Sequence, residues 1–276
     1  MQLQKAAPED IPAAKRLWTA VFDDGTKGFC DFIFSVCETE RVYIVKENGQ
    51  LVSMLMAIAD LQYKQQKGFY LYSACTAPDS RGKGYMKRLI DFALKCEEER
   101  GNSFCVLKPA SRQLFGFYAK LGFDTVIKTR RSSVEIKKNI WQSADFDTVT
   151  SGRFKSCRER FFGENMVHYT PKSYEKFTRY LYTFGGSTAE SDHAFAVYYK
   201  EGDSLEVKEM FARSSLDAMK LLQAIREREG CESAVISLAD GSDLFLGEGR
   251  RQDTYAVKGL PRDVYIGLMF EQICKH

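Results

Sequence analysis

The 276 residues contain no C-x-x-C pair, no marked excess of either charge sign and no apolar run long enough to cross a bilayer. Each absence removes a class of function. Lys+Arg 40 against Asp+Glu 37 leaves a net charge of only +3, too balanced for a protein whose affinity comes from neutralising nucleic-acid phosphates. Cys30, Cys37, Cys75, Cys96, Cys105, Cys157, Cys231 and Cys274 sit mostly among apolar neighbours, which reads as reduced thiols used as small hydrophobes. His168, His193 and His276 are scattered, without the H-x-x-x-H or mixed Cys/His spacing of a metal site. The first residues, "MQLQKAAPEDIPAAKRLW", have no apolar core of signal-peptide length, and no stretch approaches the roughly 18 apolar residues of a membrane span. The expectation is a cytoplasmic protein with no metal, no membrane and no nucleic-acid partner; self-association is left open.

With 44% of its residues hydrophobic, the chain can bury two cores of ordinary domain size. "EDIPAAKRLWTAVFDD" and "FCDFIFSVC" carry apolar residues at helical spacing. Three apolar runs follow, at 42–45, 51–58 and 69–77, broken at Glu47-Asn48-Gly49 and at the polar stretch 64–68. The Asn-Gly pair is a strong short hairpin signal, so an antiparallel meander is predicted. Next come a helix over about 84–100, a buried strand in "SFCVLKP", a short amphipathic helix in "SRQLFGFYAKLG", and a closing hairpin from "FDTVIKT" and "SSVEIKK".

The stretch "APDSRGKGYMKRL" joins the last strand of the meander to that helix. The first N–H groups of a helix lack partners within it, and the peptide dipoles add roughly half a positive charge there, so an anion is held well. Gly82 and Gly84 let the backbone approach a phosphate without a Cβ in the way, while Arg81 and Lys83 add mobile positive charge. A diphosphate fits such a turn. Neither a P-loop nor a dinucleotide fingerprint is present. An ordinary surface turn that opens a basic helix is the alternative.

Arg81-Gly82-Lys83-Gly84-Tyr85 after an apolar strand, with "FYAKLGF" downstream, resembles the GNAT N-acetyltransferases, whose shared motif is [RQ]-x-x-G-x-[GA]. Met86 departs from the Gly or Ala of that pattern, and "VLKPASRQLFGFYAKLGFD" is similar to the Eis-type branch. The resemblance covers residues 1–136. It implies an α/β GNAT fold with a mixed sheet and acetyl-CoA as cofactor. The backbone of Ala74, Cys75, Thr76 and Ala77 would bond the pantetheine arm, the amides of Arg81, Gly82, Lys83, Gly84, Tyr85 and Met86 would hold the pyrophosphate, and Ser111 falls near an asparagine position of the family. Tyr118 would protonate the departing thiolate as general acid; its alternative is a packing aromatic. No base is evident, and Asp60 is a weak candidate. The Eis branch is thought to use its C-terminal carboxylate, reached through a third, sterol-carrier-like domain. This chain is too short for all three parts, so that role is not carried over. Cys75, inside an apolar strand, reads as inert core.

In residues 137–276, "IWQSADFDTVTSGRFKSCRERFF" and "TPKSYEKFTRYLYTF" read as helices, the second opened by Thr170-Pro171. "HAFAVYYKEGDSLEVKEMFA" reads as a hairpin, "SSLDAMKLLQAIREREG" as a helix, and "ESAVISLA" and "DTYAVKGL" as strands. This order repeats that of the first half, while "FARSSLD" lacks the glycine turn. A second, degenerate GNAT-like domain that shapes the acceptor site is the expectation, with an unrelated accessory domain as the alternative. The function expected is acetyl transfer from CoA to a primary amine of a small molecule or peptide. A non-catalytic acyl-CoA sensor is the other reading. Asp145, Asp147, Glu190, Asp192, Glu201 and Asp203 are candidates to line a cleft for a cationic acceptor, or are ordinary surface.

Overall fold

The structure is a computed structural model, and it describes residues 1–22, 28–138 and 149–267. Asp145, Asp147, Cys274, His276 and the start of the helix expected from Ile140 lie outside the described residues. Within them the chain forms thirteen strands and seven helices in two compact units. Of the described residues, the first unit is 1–125 with 256–261, and the second is 126–255 with 262–267.

The first unit holds β1 (Gln2–Lys5), α1 (Ile11–Phe22), α2 (Phe29–Val36), β2 (Val42–Glu47), β3 (Gln50–Tyr63), β4 (Gln66–Thr76), α3 (Tyr85–Glu99), β5 (Phe104–Leu107) and α4 (Arg112–Ala119). Strands β1 to β4 are antiparallel neighbours in chain order, and β5 adds to β4 in parallel after the crossover through α3. Asn48 (φ 51°) and Gly49 (φ 79°) make the expected left-handed turn. The second break is tighter than the sequence suggests: β3 and β4 run on to Tyr63 and Gln66, leaving two turn residues, and Lys64 takes φ 52°. Leu89, Ile90 and Ala93 of α3 pack with Tyr43, Leu55, Phe69 and Leu107 of the sheet to form the core.

The second unit holds β6 (Thr125–Glu135), α5 (Ser151–Phe162), β7 (Met166–Tyr169), α6 (Pro171–Thr183), β8 (Ser187–Glu190), β9 (Ala194–Glu201), β10 (Ser204–Ala212), α7 (Ser215–Glu229), β11 (Ser233–Ala239), β12 (Arg250–Lys258) and β13 (Tyr265–Ile266). Residues 256–258 of β12 lie in the first unit, where they pair with β5. The expected hairpin within 123–138 is not formed; β6 is one continuous strand that pairs with β11 from Thr129 to Glu135. Its middle carries no turn residue, and Arg130 is buried there, donating to the carbonyls of Ser242 and Leu244 at 2.8 Å each. Hairpin β9–β10, helix α7 and parallel β11 repeat the order and sense of β3–β4, α3 and β5.

Candidate active site

Strand β4 is bulged. Between the pairs Met54↔Cys75 and Met56↔Tyr72, Ser73 and Ala74 oppose the single residue Leu55, which bends a strand and sharpens its twist. Ser73 takes the left-handed φ of 54°, and its hydroxyl accepts from Trp18 Nε1 of α1 at 2.8 Å. The parallel ladder from β4 to β5 ends at Tyr70↔Val106, whereas β4 continues to Thr76 with β3 on its other side. Residues 71–76 thus diverge from β5. An extended ligand backbone can lie along such an edge as an added strand does.

Beyond β4 a short turn over Pro78–Ser80 leads to Gly82 (φ 78°) and Gly84 (φ 76°), the residue just before α3. Both glycines adopt a conformation that L side chains rarely take, and a Cβ at either would meet nothing within 4 Å. Their value is therefore conformational, and the space beside both glycines is open. Arg81 Nε donates to the Thr76 carbonyl at 3.3 Å. Lys83 Nζ reaches Glu47 Oε2 at 3.2 Å, and the Tyr85 hydroxyl donates to Glu47 Oε1. These two hydrogen bonds, Tyr85's first, hold the Glu47 carboxyl below its usual range. Glu47 was missed from the sequence. The signal was the Asn48-Gly49 turn, because an antiparallel meander places the β2–β3 turn at the same end of the sheet as the last residues of β4.

Tyr118 of α4 is 7% exposed, and its ring meets Phe117 and Phe123 edge-on at 5.2 and 5.8 Å. Among the described residues its hydroxyl has no hydrogen-bond partner. Burial, with Cys105 adding to it, pushes the phenol up to about 12. Tyr118, Tyr85, Leu71 and Leu107 share one apolar cluster, against which Ala74 and Met86 pack partly buried. The Met86 side chain thus serves the core. Ser111 precedes α4, is exposed and makes no side-chain capping bond. Burial raises the Cys75 thiol to about 12, so it stays protonated and a poor nucleophile.

Asp60 is committed elsewhere. Its Oδ1 lies 2.5 Å from Arg41 Nη1, and Arg41 also makes a two-pronged pair with Glu97 at 3.0 and 2.7 Å. Glu97 further accepts from the Tyr43 hydroxyl at 2.6 Å and from Asn102 Nδ2 at 2.8 Å. Among the described residues the acidic candidates of the second half fall into two separate places, with Asp192 two residues from Glu190. Glu190 is paired with Arg153 and Arg160 at one end of β9, and Glu201 and Asp203 flank the turn at its other end, about 23 Å away at strand rise. Among the described residues no group of His, Cys, Asp and Glu is arranged to hold a metal ion, and no helix is long and apolar enough to cross a membrane.

A bulged fourth strand parting from the fifth, followed by a glycine turn at a helix N-terminus, is the arrangement that the resemblance in the sequence implies. Residues 2–126 match the family model of the acetyltransferase (GNAT) domain. That match assigns the GNAT domain to residues 2–126, a little under half of the chain. Its fold is similar to that of a GCN5-related N-acetyltransferase from Kribbella flavida, with TM-score 0.68 and 13% identity over 93% of this chain and 70% of that one. A GCN5-related N-acetyltransferase from Anabaena variabilis gives 0.71 and 15%, covering 94% and 72%. Eis1 from Mycobacterium abscessus gives 0.66 and 10%, covering 94% and 73%. No curated protein sequence matches the chain significantly.

Proposed function

We propose that the chain is an acetyl-CoA-dependent N-acetyltransferase acting on a primary amine of a small molecule or peptide. The carrying observation is the pairing of two left-handed glycines before α3 with a β4 edge that β5 leaves at Tyr70. The residues fit the cofactor. The amides of residues 81–86 meet its diphosphate, and main-chain groups of residues 74–77 pair with its amide-bearing arm. Acetyl-CoA supplies an activated acyl group as a thioester. The Tyr118 phenol would hold a proton for the departing thiolate, while solvent would take the proton that the amine gives up as its nitrogen replaces sulfur on the acyl carbon. A phenol near 12 is fully protonated at neutral pH, as a proton donor must be.

The second unit is read as a degenerate copy of the same fold. Support comes from the repeated hairpin, helix and parallel strand, and from the fold likeness over more than nine-tenths of the chain. The test of function is thiol release from acetyl-CoA over a panel of amines, with calorimetry of CoA binding alongside. Turnover of an amine together with CoA binding is the expected result. Binding without turnover of any amine favours the sensor reading. Absence of CoA binding at millimolar levels removes both.

A further inference from the structure

The second unit contains a cavity of about 490 Å³, within the range of small-molecule sites. It lies where β10 and β11 part. Their parallel ladder ends at Val207↔Ile236, a bulge at Lys208 follows, and β10 continues to Ala212. Residues 210–212 of β10 and the end of β11 with the residues after it line the space. This is the counterpart of the β4–β5 wedge of the first unit, with the same bulge on the strand that precedes the helix. Ligands of open α/β sheets sit beyond the carboxyl ends of parallel strands.

The chemistry of the two wedges differs. Before α7, Ser214 stands where the first unit has Gly84, and its Oγ accepts from the Asp217 amide at 3.1 Å and donates to the Asp217 carboxylate at 2.7 Å. One orphan amide is thereby satisfied and a negative charge is placed in the first turn, which opposes a diphosphate. Aromatic rings fill out the floor instead. Phe162 stacks on Tyr265 at 4.2 Å and 15°, and Phe211 meets Phe162 at 4.8 Å and Tyr265 at 5.6 Å, each edge-on. Four charged residues line the wall, Lys128, Arg262, Asp240 and Asp263. Asp240 Oδ1 lies 2.9 Å from Arg251 Nε, an ion pair without hydrogen-bond geometry, whereas among the described residues Lys128 and Arg262 have no ion pair. With Asp240 offset by Arg251, the exposed Lys128 and Arg262 are left with Asp263 as the other charge of the lining.

We propose that this wedge is a second binding site, distinct from the coenzyme turn, for a flat aromatic small molecule bearing one carboxylate. The rings pack against the ligand's plane, and Lys128 and Arg262 meet its anion. The proposal does not rest on the acetyltransferase reading, since no residue of the first unit enters it. The probes are 2-naphthoate and the uncharged 2-naphthamide, titrated calorimetrically into the full chain. The expected result is one saturable naphthoate site, with naphthamide at least about five-fold weaker. Ala212→Phe and Ala239→Phe fill the space from two strands and should weaken naphthoate at least about ten-fold, with CoA affinity unchanged. Lys128→Glu with Arg262→Glu, on the exposed rim where folding is not at stake, should erase the preference for naphthoate. Absence of saturable binding, an undiminished affinity in the folded filled variants, equal affinity for the two probes, or displacement of naphthoate by CoA would each overturn the assignment.

Discussion

Burial among Phe117 and Phe123 pushes the Tyr118 phenol up to about 12, so in the proposed reaction its proton would be available to a leaving thiolate between pH 7 and pH 10. Tyr118→Phe removes that proton and little volume. The turnover number should fall by about ten- to a hundred-fold with CoA affinity unchanged, read from steady-state rates beside calorimetry; equal turnover would reduce Tyr118 to packing. At Gly84, Asp and Asn tolerate a positive φ comparably but differ in charge. Gly84→Asp should therefore abolish measurable CoA binding while Gly84→Asn retains part of it, and a similar loss in both would assign the effect to shape. Glu47 ties up Lys83 and Tyr85 beside the turn proposed to hold a diphosphate. Glu47→Gln releases Lys83 and removes a like charge, so CoA should bind about two- to five-fold tighter at low salt, the gain shrinking as ionic strength rises. Weaker binding would show that Glu47 orients the loop.

Helix α3 carries the proposed phosphate seat at one end and is pinned to the sheet at the other. Glu97, fully buried near its C-terminus, is tied to Arg41, Tyr43 and Asn102. Glu97→Ala leaves Arg41 with only Asp60 and strips Tyr43 and Asn102 of their acceptor, and should cost about 3–5 kcal/mol of unfolding free energy, measured by urea titration. A cost below about 1 kcal/mol would show that Asp60 and solvent suffice for Arg41. At this scale the sequence was read well where the information is local. Asn48-Gly49 set the first hairpin, Gly84 and Arg100 bracket α3, and of Glu201-Gly202-Asp203 the last two fall between β9 and β10. It misled at β6, which was read as a hairpin of "FDTVIKT" and "SSVEIKK" parted at Arg130-Arg131. There the strand is held straight by β11, and Arg130 is buried against distant carbonyls. Strands β1, β7, β8 and β13 are two to four residues long, too short for a periodicity to show.

For the whole molecule, several buried acids share one pH dependence. Cys75 and Cys157 move from an ordinary 9.0 to about 12, and Tyr118 from 10.0 to about 12, in each case chiefly by burial. A group whose folded value is raised stabilises the fold fully below its unfolded value and ceases to as pH climbs through the folded one. The unfolded chain thus binds fewer protons than the folded chain between about pH 9 and pH 12, and stability must fall with rising pH there. The melting temperature should decline steadily across that window and be flatter just below it. A flat profile up to pH 12 would show that these groups are reached by solvent.

The sequence by itself determined the glycine turn, its strand-to-helix setting, the placing of Tyr118 on a short helix and the repeated order of elements in the second half. These depend on neighbours within a turn or two of chain, where φ preference, capping and periodicity act. Only the tertiary structure decided that β4 bulges at Ser73 and leaves β5, that Glu47 meets Lys83 and Tyr85 across 36 and 38 residues, that Asp60 serves Arg41, and that aromatic rings line the second wedge. Ion pairs, strand partners and cavities join residues far apart in the chain, and no local preference encodes which distant group arrives.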